Sequence, residues 1–165
     1  NLTAPERVEL IQVISAQDMH EAVQERIALT DVFIGVAAVA DYRPKLVQQH
    51  KIKKDQNEQR SLTLELVENP DVIAEVAMRA DKPFTIGFAA ETEQVEAYAR
   101  KKLIDKKLDM IVANNVGNTE IGFNSDVNAI TVYFQDRAID LPKMSKRILS
   151  EHLVELISQQ LTETL

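Results

Sequence analysis

The sequence predicts an α/β fold, a three-layer sandwich in which helices cover both faces of a mainly parallel sheet. Short apolar runs of strand length alternate with segments of helical periodicity, and a parallel neighbour is reached only through a crossover connection. The runs at 32–39 and 110–113 are apolar at nearly every position, as strands buried on both faces are. A third observation is size. At 165 residues, with 45% hydrophobic and 27% charged residues, the chain is one domain that can bury roughly two-thirds of its unfolded surface without a disulfide or metal staple.

Taken in order, residues 8–13 read as a short strand. Ser15 caps a helix running to about residue 29, with Met19, Val23 and Ile27 on its apolar face. The strand at 32–39 delivers Asp41 into a loop at its carboxyl end, where open α/β sheets bind ligands. Residues 44–60 are polar, rich in Gln and Lys, and carry no sustained period, so they read as a long, flexible flap loop. Leu62, Leu64 and Leu66 alternate with Thr63 and Glu65, the period of a half-exposed strand over 61–68.

Asn69-Pro70 starts a helix that ends near Asp81, because an Asn oxygen can cap free amides and proline fits the first turn. A strand at 84–89, a helix from Thr92 to about residue 108 and a strand at 110–113 follow. Residues 130–134 form a further strand and Asp136-Arg137 a turn. A long amphipathic helix over 145–161 closes the domain, with Ile148, Leu149, Leu153, Leu156 and Ile157 inward. Residues 1–165 are therefore expected to form a single Rossmann-like domain.

Composition narrows the function. A net charge of −7 and a pI near 5.0 argue against a general nucleic-acid binder, so any polyanion site must be local. The absence of cysteine excludes a thiolate metal site and a cysteine nucleophile, and fits a reducing compartment. No apolar run approaches the ~20 residues of a membrane span, which makes cytoplasm the expected location and a membrane partner unexpected. No G-x-G-x-x-G turn occurs among only four glycines, which disfavours a dinucleotide-dependent reductase. His20, His50 and His152 lack ligand-like spacing.

Several residues remain as candidates, each with a plainer alternative. Asp41 is either a ligand or metal contact beyond a buried strand or a turn residue paired with Arg43. Lys51, Lys53 and Lys54 either close over phosphates or form a solvated face. Asn69, Pro70, Asp71 and Val72 place backbone amides at a helix start, which suits an anion or the polar edge of a base and equally suits a simple cap. Phe88, an aromatic at a strand end, reads as core, beside a Gly87 that permits close approach. Lys102 and Lys106, four apart on a helix, project one turn apart on one side and can grip one phosphate chain or face solvent. Asn114 and Asn115 are either substrate-facing amides or turn residues.

These residues fall in five ordered blocks: Asp41-Tyr42-Arg43 with Lys51-Ile52-Lys53-Lys54; Asn69-Pro70-Asp71-Val72; Gly87-Phe88-Ala89-Ala90-Glu91-Thr92; Ala113-Asn114-Asn115-Val116; and Gly122-Phe123-Asn124-Ser125-Asp126. Together they resemble bacterial phosphopantothenoylcysteine synthetase, over nearly all of the chain. The resemblance implies a ligase of coenzyme A biosynthesis that joins 4′-phosphopantothenate to L-cysteine, using CTP and Mg²⁺ by way of an acyl-cytidylate. It implies Lys51 as the catalytic flap lysine. Asp41, Lys51, Asn69, Pro70, Asp71, Val72, Phe88, Lys102 and Lys106 become CTP contacts, with Asp41 also touching the metal through the Mg-triphosphate.

The family's glycine-containing phosphate loop and Asn-rich segment have no counterpart in residues 1–9, so the chain is expected to be incomplete at its amino terminus. FMN is expected only where a decarboxylase is fused upstream. A homodimer is implied by analogy, with Leu62, Leu64, Leu66 and Tyr133 on strands that contribute to it. The competing expectation is a non-catalytic nucleotide-binding or dimerisation fragment of the same enzyme.

Overall fold

The structure, a computed structural model, describes residues 4–48, 50–52, 62–117 and 125–164. The predicted α/β sandwich is present. Its central sheet holds five strands: β1 (Val32–Gly35), β4 (Phe84–Glu91), β5 (Met110–Asn115), β6 (Val127–Tyr133) and β7 (Ala138–Ser145), in the order β1-β4-β5-β6-β7. β1, β4 and β5 are mutually parallel, while β6 is antiparallel to both of its neighbours. Four of the five strands therefore run one way. A separate antiparallel ribbon pairs β2 (Tyr42–Pro44) with β3 (Leu66–Glu68), and it is the extension from which the flap segment departs. Most of the predicted flap, including Lys53 and Lys54, lies outside the described residues, as do Gly122, Phe123 and Asn124.

The sheet separates two apolar cores. On one face α2 (Val72–Ala77) and α3 (Val95–Asp105) pack Ala77, Ala99 and Leu103 against Ala89, Ile111 and Ala113. On the other, α4 (Lys146–Thr164) packs Leu149 and Leu153 against Ile86, Met110, Val112 and Val132. Each such fully buried Leu or Ile contributes about 1.5–3 kcal/mol relative to its exposed state, so β4 and β5, buried from both sides, are the structural spine. At their amino ends Asp109 ties them together: its carboxylate accepts the Thr85 amide (2.8 Å) and Lys82 Nζ (2.6 Å).

Several elements differ from expectation for identifiable reasons. Residues 8–13 form no strand. Ile11 and Val13 instead face Met19, Val23 and Ile27 across an apolar cavity of ≈ 220 Å³, so side-chain contact with the helix replaces backbone pairing. The helix there, α1 (Ala16–Gln24), starts as predicted: Ser15 and Asp18 form a reciprocal capping box. It stops early, and a short 3₁₀ turn at Ile27–Leu29 follows. β1 is shorter than 32–39 and is not buried on both faces, since it has a single neighbour and Ile34 and Val36 are exposed.

The strand β7 goes unread in the sequence because Pro142 interrupts it. Asn128 and Ile130 on β6 face Met144 and Leu141, so Pro142 and Lys143 together oppose one residue in an edge-strand bulge, where proline is tolerated. Tyr133 is buried in its own core with Arg100 5.0 Å above its ring, so it is no part of an exposed dimerisation surface, and burial pushes its phenol pKa up. Ile148, expected inward, lies on the exposed side of α4.

Candidate functional site

The candidate residues collect around the carboxyl ends of β1, β4 and β5. The chain leaves β1 and runs through residues 36–41 into the β2–β3 ribbon, which returns it to α2. Asn69 clasps that loop: its amide nitrogen donates to the Asp41 carbonyl (2.8 Å), and its side chain donates to the Ala40 carbonyl (2.7 Å). Arg43 completes the clasp by donating to the Glu68 carbonyl (2.7 Å) and to Asn69 Oδ1 (3.0 Å). Arg43 is thus committed to the ribbon and not to Asp41, contrary to the ion pair considered from sequence. The exposed Asp41 carboxylate has no bonding partner among the described residues.

Asn69 is therefore not the cap of α2. That role belongs to Asp71, whose Oδ1 accepts the Ala74 amide (3.2 Å). The other oxygen of Asp71 meets Lys106 Nζ at 2.8 Å. One carboxylate thus closes the helix start and holds a lysine of α3 in place. Of the amides at this turn, that of Ala74 is taken by the Asp71 side chain, the plain capping role considered from sequence. Pro70 is half-buried beside it and Val72 is buried, so Val72 reaches a ligand only through its backbone.

Lys102, one turn before Lys106 on α3, meets Glu91 Oε1 at 2.6 Å. Glu91 ends β4 and is only 19% exposed as a side chain, so the pair sits in a recess of the sheet edge. Glu91 went unread as a site residue. The available signal was its position at the carboxyl end of a buried strand inside the Gly87–Thr92 block. The predicted grouping of Lys102 and Lys106 on one side of α3 is present, each held by its own carboxylate.

Phe88 lies on the opposite face of the sheet from these lysines. It shares the side of Ile86 and Val112 yet keeps 37% of its surface exposed, because α4 covers that face only farther along. Gly87 faces the α3 side, where a Cβ would come within 2.7 Å of Leu108 Cδ1; its close approach is to the protein's own core. Lys51 is exposed, and no bond fixes it among the described residues. Asn114 and Asn115 end β5 beside Glu91. Asn115 Oδ1 accepts the Gly117 amide (3.0 Å), a turn role, whereas the buried Asn114 Oδ1 has no partner among the described residues.

This arrangement has definite chemical capacities. Lys102 and Lys106 supply two positive charges, held against Glu91 and Asp71. Both pairs are partly exposed, so a phosphate oxygen entering there would compete with Glu91 and Asp71 for the two lysines. Among the described residues, no group of three or more His, Asp or Glu side chains is placed to hold a metal ion. A magnesium ion bound mostly by phosphate oxygens and one carboxylate fits this donor set.

Comparison with known proteins agrees with the fold. Residues 1–161 match the family described as the DNA/pantothenate metabolism flavoprotein C-terminal domain. The chain belongs to this family. It is 46% identical over 162 residues to the coenzyme A biosynthesis bifunctional protein CoaBC of Vibrio cholerae, covering 98% of this chain and 40% of that protein. It is 44% identical over 158 residues to CoaBC of Escherichia coli, covering 95% and 39%, so the chain spans about two-fifths of the length of these curated relatives.

The crystal structure of the C-terminal domain of a CoaBC superposes with a TM-score of 0.78 at 38% identity, covering 98% of this chain and 72% of the other. The flavoprotein of Streptococcus pneumoniae, at 22% identity and a TM-score of 0.75 over 96% and 76% of the two chains, shares the fold.

Proposed function

We propose that this domain carries the nucleotide-binding half of a CTP-dependent ligase that joins 4′-phosphopantothenate to L-cysteine in coenzyme A biosynthesis. The observation that carries the reading is the pair Lys102 and Lys106, aligned on one side of α3 and each held against a carboxylate beside the strand ends. The family's bifunctional coenzyme A proteins supply the substrate class.

In this reading the acid's carboxylate oxygen attacks the α-phosphorus of CTP. A C–O–P linkage forms, the bond to the bridging oxygen breaks and pyrophosphate leaves. The cysteine amine then attacks the acyl carbon, an amide forms, CMP departs and the nitrogen loses a proton. Negative charge accumulates on the phosphates in the first step, and fixed cations at that position lower its barrier. Lys102 and Lys106 hold the leaving phosphates, and Lys51, the proposed catalytic residue, covers the activated acid from the flap. Asp41 would hold the metal that accompanies the triphosphate, and that metal would supply charge neutralisation. Asn69, Pro70, Asp71 and Val72 meet the polar edge of the base, and Phe88 offers an aromatic contact.

The test is release of pyrophosphate that depends on CTP, phosphopantothenate and cysteine together. Release that survives combined Lys51→Ala and Lys102→Ala substitution contradicts the assigned roles. A second reading, a non-catalytic nucleotide-binding and dimerisation unit, draws on the exposed apolar stripe of Leu62, Leu64 and Leu66 on the ribbon segment, which suits a homodimer contact. CTP binding without turnover, in a dimer disrupted by Leu64→Asp, favours it.

A further inference from the structure

A second cleft, of ≈ 680 Å³, opens at the far end of α2 from Asp71, beside the last turn of α3 and the amino ends of β4 and β5. Its size falls within the range of small-molecule sites. Arg79, Lys82, Arg100 and Lys107 line it against a single lining carboxylate, Asp109, in a chain whose net charge is −7. Two of these cations are fully answered. Lys82 holds Asp109 at 2.6 Å, and Arg100 holds Glu96 at 2.8 Å while stacking on Tyr133. The other two are not. Among the described residues Arg79 gives Nη2 to Asp81 (3.1 Å) while its buried Nε has no acceptor, and the Lys107 side chain has no partner. Arg79 and Lys107 thus bring positive charge to the cleft that the described residues answer only in part.

Leu108 N donates to the Leu103 carbonyl (2.9 Å) and Lys107 N to the Ile104 carbonyl (3.1 Å), the paired bonds of a Schellman ending. Lys107 occupies the left-handed position of that ending at φ 54°, where glycine is the least strained residue. Met78 and Ile104, both largely exposed, add an apolar rim.

We propose that this cleft binds an organic phosphate, with the phosphate head on Lys107 and Arg79 and its apolar body against Met78 and Ile104. The site is separate from the one proposed for CTP and does not depend on it. The experiment is a titration of the chain with phenyl phosphate, inorganic phosphate and phenol, followed by ¹H–¹⁵N chemical shifts. Saturable shifts at 78–82, 107–109 and Gln135, tighter for phenyl phosphate than for either fragment, are expected.

Lys107→Gly should weaken phenyl phosphate binding by about tenfold, the loss of one charge-assisted hydrogen bond, while leaving Tm unchanged or higher because the strained turn is relieved. Arg79→Gln should weaken it similarly. No saturable shift, shifts confined to the strand ends around Asp41 and Glu91, or affinity that both variants leave intact would each overturn the proposal. None of these outcomes bears on Lys102 and Lys106, whose variants are tested separately with CTP.

Discussion

Asp71 performs two tasks with one carboxylate, capping α2 and restraining Lys106, and the two can be separated by substitution. Asp71→Ala removes both and is expected to cost about 1 kcal/mol, the usual value of an N-cap, read as a lowered urea midpoint. Asp71→Asn keeps an acceptor for the Ala74 amide, so stability should hold while Lys106 loses its counter-charge. The lysine pair was legible in the sequence because spacing of four on a helix dictates a shared side. Its partners were not, because Glu91 and Asp71 reach the lysines through tertiary contacts that no local pattern encodes. Asn69 was misread as a cap for a similar reason: its side chain is drawn into the Ala40 and Arg43 clasp, and the next acid in the turn takes the helix start.

Among the elements, α1 carries the clearest pH dependence. The Asp18 carboxylate accepts the backbone amides of Ser15 (3.0 Å) and Ile14 (3.2 Å), which hold its pKa below the ordinary carboxylate value. A depressed folded pKa means that Asp18 stabilises the fold fully above the unfolded value and loses that contribution as pH falls through the folded one. Asp18→Ala should therefore lower the urea midpoint at neutral pH and narrow its gap from the parent in acid. A gap independent of pH would contradict this. Helix starts with strong local chemistry, at Ser15 and Ser145, were readable in sequence. The strands β1 and β7 were read less well, because each lies at a sheet edge, where burial and pairing depend on neighbours distant in sequence.

At the scale of the molecule, two cores clamp β4 and β5, and their carboxyl ends present the site. The space beside Gly87 is already filled by Leu108 and Ile73. Gly87→Val should accordingly overpack the α3 core at a cost of about 1–3 kcal/mol, measured by thermal or urea unfolding; a neutral effect would show that α3 packs loosely on the sheet. The alternation of buried strands and helices made the layered architecture legible from the outset, since only a sheet covered on both faces accommodates runs such as 110–113. The antiparallel half was not legible, because a bulged strand containing proline gives no clean period.

In the proposed function Lys102 and Lys106 bind the phosphate chain of CTP. Calorimetric titration of Mg²⁺–CTP into the chain and into its Lys102→Ala/Lys106→Ala variant tests it most directly. Saturable binding that weakens by about 100-fold in the double variant, as the loss of two charge-assisted contacts predicts, with an unchanged Tm, is the expected result; equal affinity in both proteins would contradict the account.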